Sequence, residues 1–149
     1  MRKFELVDER AKMPTRATEL SAGYDLCVIN DKPKTIRPGE TYIFDTGVKV
    51  HMEKDDVFQI YIRSSVGIKR NLILSNCVPI IDADFPDTIK LAITNVGQFA
   101  QIVDTNERVA QGIFTKYLLV DDESGTAANV MPKKKRKGGI GSTNSNEAA

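Results

Sequence analysis

Val57-Phe58-Gln59-Ile60-Tyr61-Ile62-Arg63 sets apolar against more polar side chains at a period of two, which is the pattern of a strand with one face in a core. The same alternation recurs in Ile89-Lys90-Leu91-Ala92-Ile93-Thr94 and in Thr46-Gly47-Val48-Lys49-Val50. Turn-forming clusters separate such runs at short intervals, as in Arg37-Pro38-Gly39-Glu40, Glu53-Lys54-Asp55-Asp56 and Phe85-Pro86-Asp87, a spacing typical of sandwiches, jelly rolls and barrels. Helical periodicity rarely outlasts two turns. The best helical candidate is short, around Ser65–Lys69, and Val109–Tyr117 fits either period. The expected fold class is therefore all-β.

The chain has 149 residues and a mass of 16.5 kDa, enough for one domain with a real core. No run reaches the length of an apolar membrane span, and MRKFELVDER lacks the continuous apolar stretch of a secretory signal. A soluble, cytoplasmic protein is expected. Cys27 and Cys77 stand fifty residues apart with a single histidine, His51, in the whole chain, so disulfide scaffolds, zinc sites and histidine-based triads find little support. Five of the 21 basic residues form the unbroken run Lys133–Lys137, leaving sixteen elsewhere against 20 acidic ones. A mildly acidic body with its positive charge in a tail suits small polyanions better than a duplex, and no direct nucleic-acid binding is expected.

From about Asp121 the composition turns to small, polar and charged residues and ends in Gly138-Gly139-Ile140-Gly141-Ser142-Thr143-Asn144 and a polar terminus. Such a segment cannot build a core alone. The chain thus divides into a β domain over 1–120 and a C-terminal arm over 121–149. Composition alone leaves open a disordered tail or an arm that orders over a ligand.

Five stretches in order resemble the motifs of trimeric dUTPases: Ser21-Ala22-Gly23-Tyr24-Asp25-Leu26, preceded by Pro14-Thr15-Arg16-Ala17-Thr18; Arg63-Ser64-Ser65-Val66-Gly67-Ile68-Lys69; Ile80-Ile81-Asp82-Ala83-Asp84-Phe85; Arg108-Val109-Ala110-Gln111; and Gly138-Gly139-Ile140-Gly141-Ser142-Thr143. The resemblance implies a jelly-roll-like β-barrel assembled as a homotrimer with shared active sites and a flexible C-terminal arm closing over each. It implies hydrolysis of dUTP to dUMP and pyrophosphate with Mg²⁺, which would limit uracil in DNA and supply dUMP for dTMP synthesis.

Residue by residue, the resemblance makes Asp82 the group that orients and deprotonates the attacking water, a role that needs a carboxylate within hydrogen-bond reach. Gln111 resembles the residue that contacts the α-phosphate or that water. Arg63 offers a planar fork, and Ser64 and Ser65 offer hydroxyl and backbone donors, to phosphate oxygens. Asn76, Ile80, Ile81 and Lys90 fall on the uracil-binding hairpin surface, Lys90 through its main chain. Phe85 stands where the family has a tyrosine under the deoxyribose, and a ring there excludes a ribose hydroxyl. Asp25 resembles the acidic residue that reaches Mg²⁺ through water, with no all-protein metal cage expected.

The sequence departs from the family in several places. Pro79 and Asp87 replace usual glycines. Lys135 and Ile140 stand where an arginine and a base-stacking phenylalanine are usual, with Arg136 one residue away; Gly141, Ser142 and Thr143 complete the phosphate-covering motif. Pro132–Lys137 also resembles a nuclear localisation signal. A dCTP deaminase is disfavoured because Ala92 stands where such enzymes carry a catalytic glutamate. A regulatory protein partner using the same surface is left open.

Overall fold

In the computed structural model, which describes residues 1–120 and Gly138, burial alternates along 48–51, 72–74 and 90–95, as the period-two pattern requires of strands with one face on a core. The elements in chain order are β1 (Lys3–Leu6), β2 (Thr15–Arg16), β3 (Tyr24–Cys27), β4 (Lys34–Ile36), β5 (Thr41–Asp45), β6 (Val48–His51), β7 (Asp56–Ile62), α1 (Ser64–Arg70), β8 (Leu72–Leu74), β9 (Ile80–Asp82), β10 (Lys90–Asn95), β11 (Gln101–Val103) and β12 (Arg108–Lys116). The fold is all-β with one short helix, as expected. Strands expected at 57–63, 89–94 and 46–50 are β7, β10 and β6, the last starting only at Val48 because Thr46 and Gly47 make a turn, held by Gly47 N–H to Asp45 Oδ1 at 2.8 Å. The helical candidate is α1, and the stretch of ambiguous period is β12, whose partners on both sides decide it.

The principal sheet has the order β2-β3-β12-β7-β9; a second has β5-β10-β8; β1-β6 and β4-β11 are two-stranded. All pairings are antiparallel. The sheets do not join into one closed cylinder among the described residues, so the expected barrel is a set of four sheets wrapped on a common core. Phe44, Phe58, Leu26, Ile36, Ile60, Leu72, Leu91 and Ile93 lie fully inside it, each apolar side chain stabilising by about 1.5–3 kcal/mol.

Asn95 and Asp56, both buried, are fully paired. Asn95 donates from Nδ2 to the carbonyls of Ile36 and Phe99 at 2.8 Å each and accepts from Gly97 N–H at 2.9 Å, stitching β4 to β10. Asp56, with no exposed surface, accepts from Arg2 at 2.7 Å, from Lys116 at 2.9 Å and from Glu53 N–H at 3.0 Å. The Arg2 guanidinium foremost holds the Asp56 carboxyl far below the usual carboxylate range. Among the described residues no helix is long and apolar enough to cross a membrane.

Candidate active site

Strand pairing brings together residues that the sequence spreads over more than eighty positions. Asp25 on β3 lies opposite Gln111 on β12, which lies opposite Tyr61 on β7. Asp25 is only 7% exposed, and a buried carboxylate is tolerated only when paired. Arg63 Nε lies 3.2 Å from its Oδ1, and Arg108 Nη1 lies 3.2 Å from its Oδ2. Arg63 also donates from Nη1 to the Arg108 carbonyl at 3.1 Å and from its backbone N–H to the Val109 carbonyl at 3.0 Å.

A β-bulge between Arg108 and Ala110 makes this possible. Three residues apart on a regular strand, Arg108 and Gln111 would point to opposite faces; the extra residue returns both to the face that carries Asp25. Gly23 completes the packing, since a Cβ there would stand 2.4 Å from Gln111 Oε1. Ser64 and Ser65, both exposed, follow Arg63 directly at the start of α1. Arg63, Ser64, Ser65, Gln111 and Asp25 thus form one group. Arg108 was not singled out from the sequence as a site residue; its presence in the fourth motif was the only signal.

The remaining expected residues gather elsewhere. Asp82, half-buried, ends β9 opposite Val57, and its carbonyl accepts from Phe85 N–H at 3.1 Å in a tight turn. Ile81 is buried in the core, so only its main chain can meet a ligand, whereas Ile80 is 49% exposed. Phe85 packs partly against the core. Lys90 pairs its ammonium with Asp45 and donates to Thr88 Oγ1 at 2.7 Å, leaving the main chain as its route to a ligand. Asn76 is exposed in the segment 75–79. That segment is not a ladder-paired hairpin as expected: β8 pairs with β10 and β9 pairs with β7, so residues 75–79 arch from one sheet to the other. Lys135, Arg136, Ile140, Gly141, Ser142 and Thr143 lie outside the described residues.

Both groups occupy the same face of the principal sheet, since Thr115, in register with Val57 and hence Asp82, is four residues from Gln111. Four residues along β12 and two strands across separate Gln111 from Asp82 by roughly 17 Å at ordinary strand spacings. One water cannot touch both within one chain. A cavity of about 410 Å³ opens elsewhere, among Arg2, Arg16, Tyr24, Asp56, Phe114 and Lys116. None of the expected site residues lines it, and Arg2 and Lys116 are already committed to Asp56.

Among the described residues no three His, Cys, Asp or Glu side chains converge as a metal cage. Asp25 is the acidic side chain of the group; each of its two oxygens meets one guanidinium at 3.2 Å and has a further acceptor position. The Cys27 thiol is pushed up by burial and is no competing nucleophile.

Comparison with known proteins adds to this geometry. A family model described as dUTPase matches residues 9–144. A deoxyuridine 5'-triphosphate nucleotidohydrolase of Lactococcus lactis subsp. lactis is 34% identical, covering 96% of this chain and 97% of its own. The crystal structure of a dUTPase from Streptococcus mutans superposes with a TM-score of 0.71 at 33% identity, covering 80% of this chain and 98% of that one. A dUTPase from phage phi11 of S. aureus, described as revealing the coordination of a structural Mg(II) ion, shares the fold with a TM-score of 0.74 at 18% identity, covering 85% and 97% of the two chains.

Proposed function

This chain belongs to the dUTPase family, and from that premise we propose that it hydrolyses dUTP to dUMP and pyrophosphate at a site shared between copies of the chain. The observation that carries the shared site is the separation on one face: the Asp25, Arg63 and Gln111 group and Asp82 belong to one chemistry but stand two strands and four residues apart. In a homotrimer, a second copy can bring its Asp82 against the first copy's phosphate-binding group.

The roles follow from the chemistry. Arg63, with Ser64 and Ser65, donates to the oxygens of the triphosphate, and Asp25 holds Arg63 in place. Asp82 accepts a proton from water as its oxygen bonds to the α-phosphorus, while the bond from that phosphorus to the bridging oxygen breaks and pyrophosphate departs. Gln111 positions the α-phosphate or the water. The main chain around Asn76, Ile80, Ile81 and Lys90 presents donors and acceptors to uracil, and Phe85 lies beneath the deoxyribose. When bound with the triphosphate, Mg²⁺ supplies charge neutralisation at the phosphate oxygens, with Asp25 reaching it through water.

The arm over 121–149 covers the bound nucleotide. Lys135 or Arg136 meets phosphate, Ile140 meets the base by apolar contact, and Gly141, Ser142 and Thr143 lie along the phosphates. The sequence reading alone places its action in the cytoplasm. The deciding experiment measures pyrophosphate release from dUTP, dCTP, dTTP and UTP with Mg²⁺, alongside the mass in solution by light scattering. Turnover confined to dUTP by a particle of three times 16.5 kDa is expected. Equal turnover of dCTP, or a fully active monomer, would sink the reading.

A further inference from the structure

A file of hydroxyls on the β5-β10-β8 sheet runs to the base of the arch 75–79. Thr41 Oγ1 lies 2.7 Å from Thr94 Oγ1, Thr94 Oγ1 lies 2.6 Å from Ser75 Oγ, and Ser75 Oγ donates to the Ala92 carbonyl at 3.1 Å. The same carbonyl accepts Ser75 N–H at 2.9 Å. Each hydroxyl has one proton to give. Ser75 Oγ thus meets both the Ala92 carbonyl and Thr94 Oγ1, and Thr94 links it to Thr41. The file ends on the residue next to Asn76.

The arch needs such an anchor. Its internal bonds are few: Cys77 N–H to the Leu74 carbonyl at 2.9 Å near its start, and Ile60 N–H to the Pro79 carbonyl at 3.1 Å at its end. Cys77 sits at φ 64, in the left-handed region that a non-glycine residue occupies only when its surroundings impose it. Fixing both ends of the arch fixes this conformation, and Ser75 is the fixed point on the β8 side. Thr94 holds Ser75 with a hydroxyl from a central strand of the sheet.

We propose that Thr94, acting through Ser75, is a positioning residue for the arch and thereby for discrimination of the pyrimidine base. The proposal rests on the reading of 75–79 as the base-binding segment. Thr94→Val keeps the branched shape and removes the hydroxyl, Thr94→Ser keeps the hydroxyl, and Asn76→Ala probes the arch itself. Each is made in the full chain and assayed with dUTP and dCTP. Thr94→Val should raise KM for dUTP roughly fivefold, the size of one ordinary net hydrogen bond, and narrow the dUTP-to-dCTP ratio of kcat/KM while kcat holds. Thr94→Ser should restore both, and Thr41→Val should move them less in the same direction. If Asn76→Ala raises KM and Thr94→Val changes neither KM nor the ratio, or lowers only kcat and thermal stability, Thr94 has no positioning role. If Asn76→Ala itself leaves KM and the ratio untouched, the assignment of the arch falls, and the proposal with it.

Discussion

The Asp25–Arg63–Gln111 group and the Asp82 end of the same sheet are built in opposite ways. Around Asp25, two guanidiniums, a backbone carbonyl, a bulge and a close-packed glycine fix every partner on strands in the middle of the principal sheet. Around Asp82, a three-residue edge strand and a tight turn carry the carboxylate, and the neighbouring arch hangs between two sheets. A buried charge must be over-determined to be stable, so the first region couples function to folding. The second region lies at the edge of its sheet, where a neighbouring copy can approach.

The largest effect should come from Asp82→Asn. Turnover should fall by roughly 10²–10⁴-fold, the contribution of a positioned general base, while thermal stability and dUTP affinity stay near those of the parent. Arg63→Ala should also be nearly inactive. Unfolding and refolding the two variants together should restore roughly a quarter of the parental sites, because random mixing of copies in a closed ring pairs an intact Asp82 with an intact Arg63 at that frequency. A mixture that stays inactive would place the whole site in one chain and end the contrast.

Asp25→Asn should act on both levels at once. Loss of the carboxylate charge leaves Arg63 and Arg108 facing each other, so kcat/KM should drop on the order of tenfold or more and the melting temperature should fall by several degrees. Calorimetry that found Asp82→Asn more destabilising than Asp25→Asn would reverse the comparison. Gly23→Ala is subtler. Its new methyl displaces the far end of the Gln111 side chain, so kcat should fall several-fold with little change in melting temperature, since a flexible amide can move aside. An unchanged kcat would remove Gln111 from the reacting centre.

The smallest effect concerns pH and involves Asp56, which precedes Val57, the ladder partner of Asp82. Asp56 has its folded pKa depressed, first by Arg2, so its contribution to stability is present above the ordinary carboxylate pKa near 4 and is lost as pH falls below that. Asp56→Asn should therefore lower the melting temperature at neutral pH and flatten its decline in acid. Parallel acid limbs for the two proteins would show that the Arg2–Asp56–Lys116 contacts carry no linkage.

The sequence by itself determined the fold class, three of the twelve strands, a short helix around Ser65–Lys69 and the identities of Asp25, Arg63, Gln111 and Asp82 as candidates. These were legible because period-two burial, turn chemistry and short motifs are local properties of the chain. Tertiary structure alone decided that the stretch ambiguous by period is the strand β12, Arg108–Lys116, which pairs with β3 on one side and β7 on the other. It also decided that β8 and β9 part into different sheets, that the bulge at Val109 turns Arg108 toward a carboxylate 83 residues away, and that Thr41, Thr94 and Ser75 join in one file of hydroxyls. Each depends on strand register between distant segments, and register is set by the packing of the whole core rather than by neighbours in the chain.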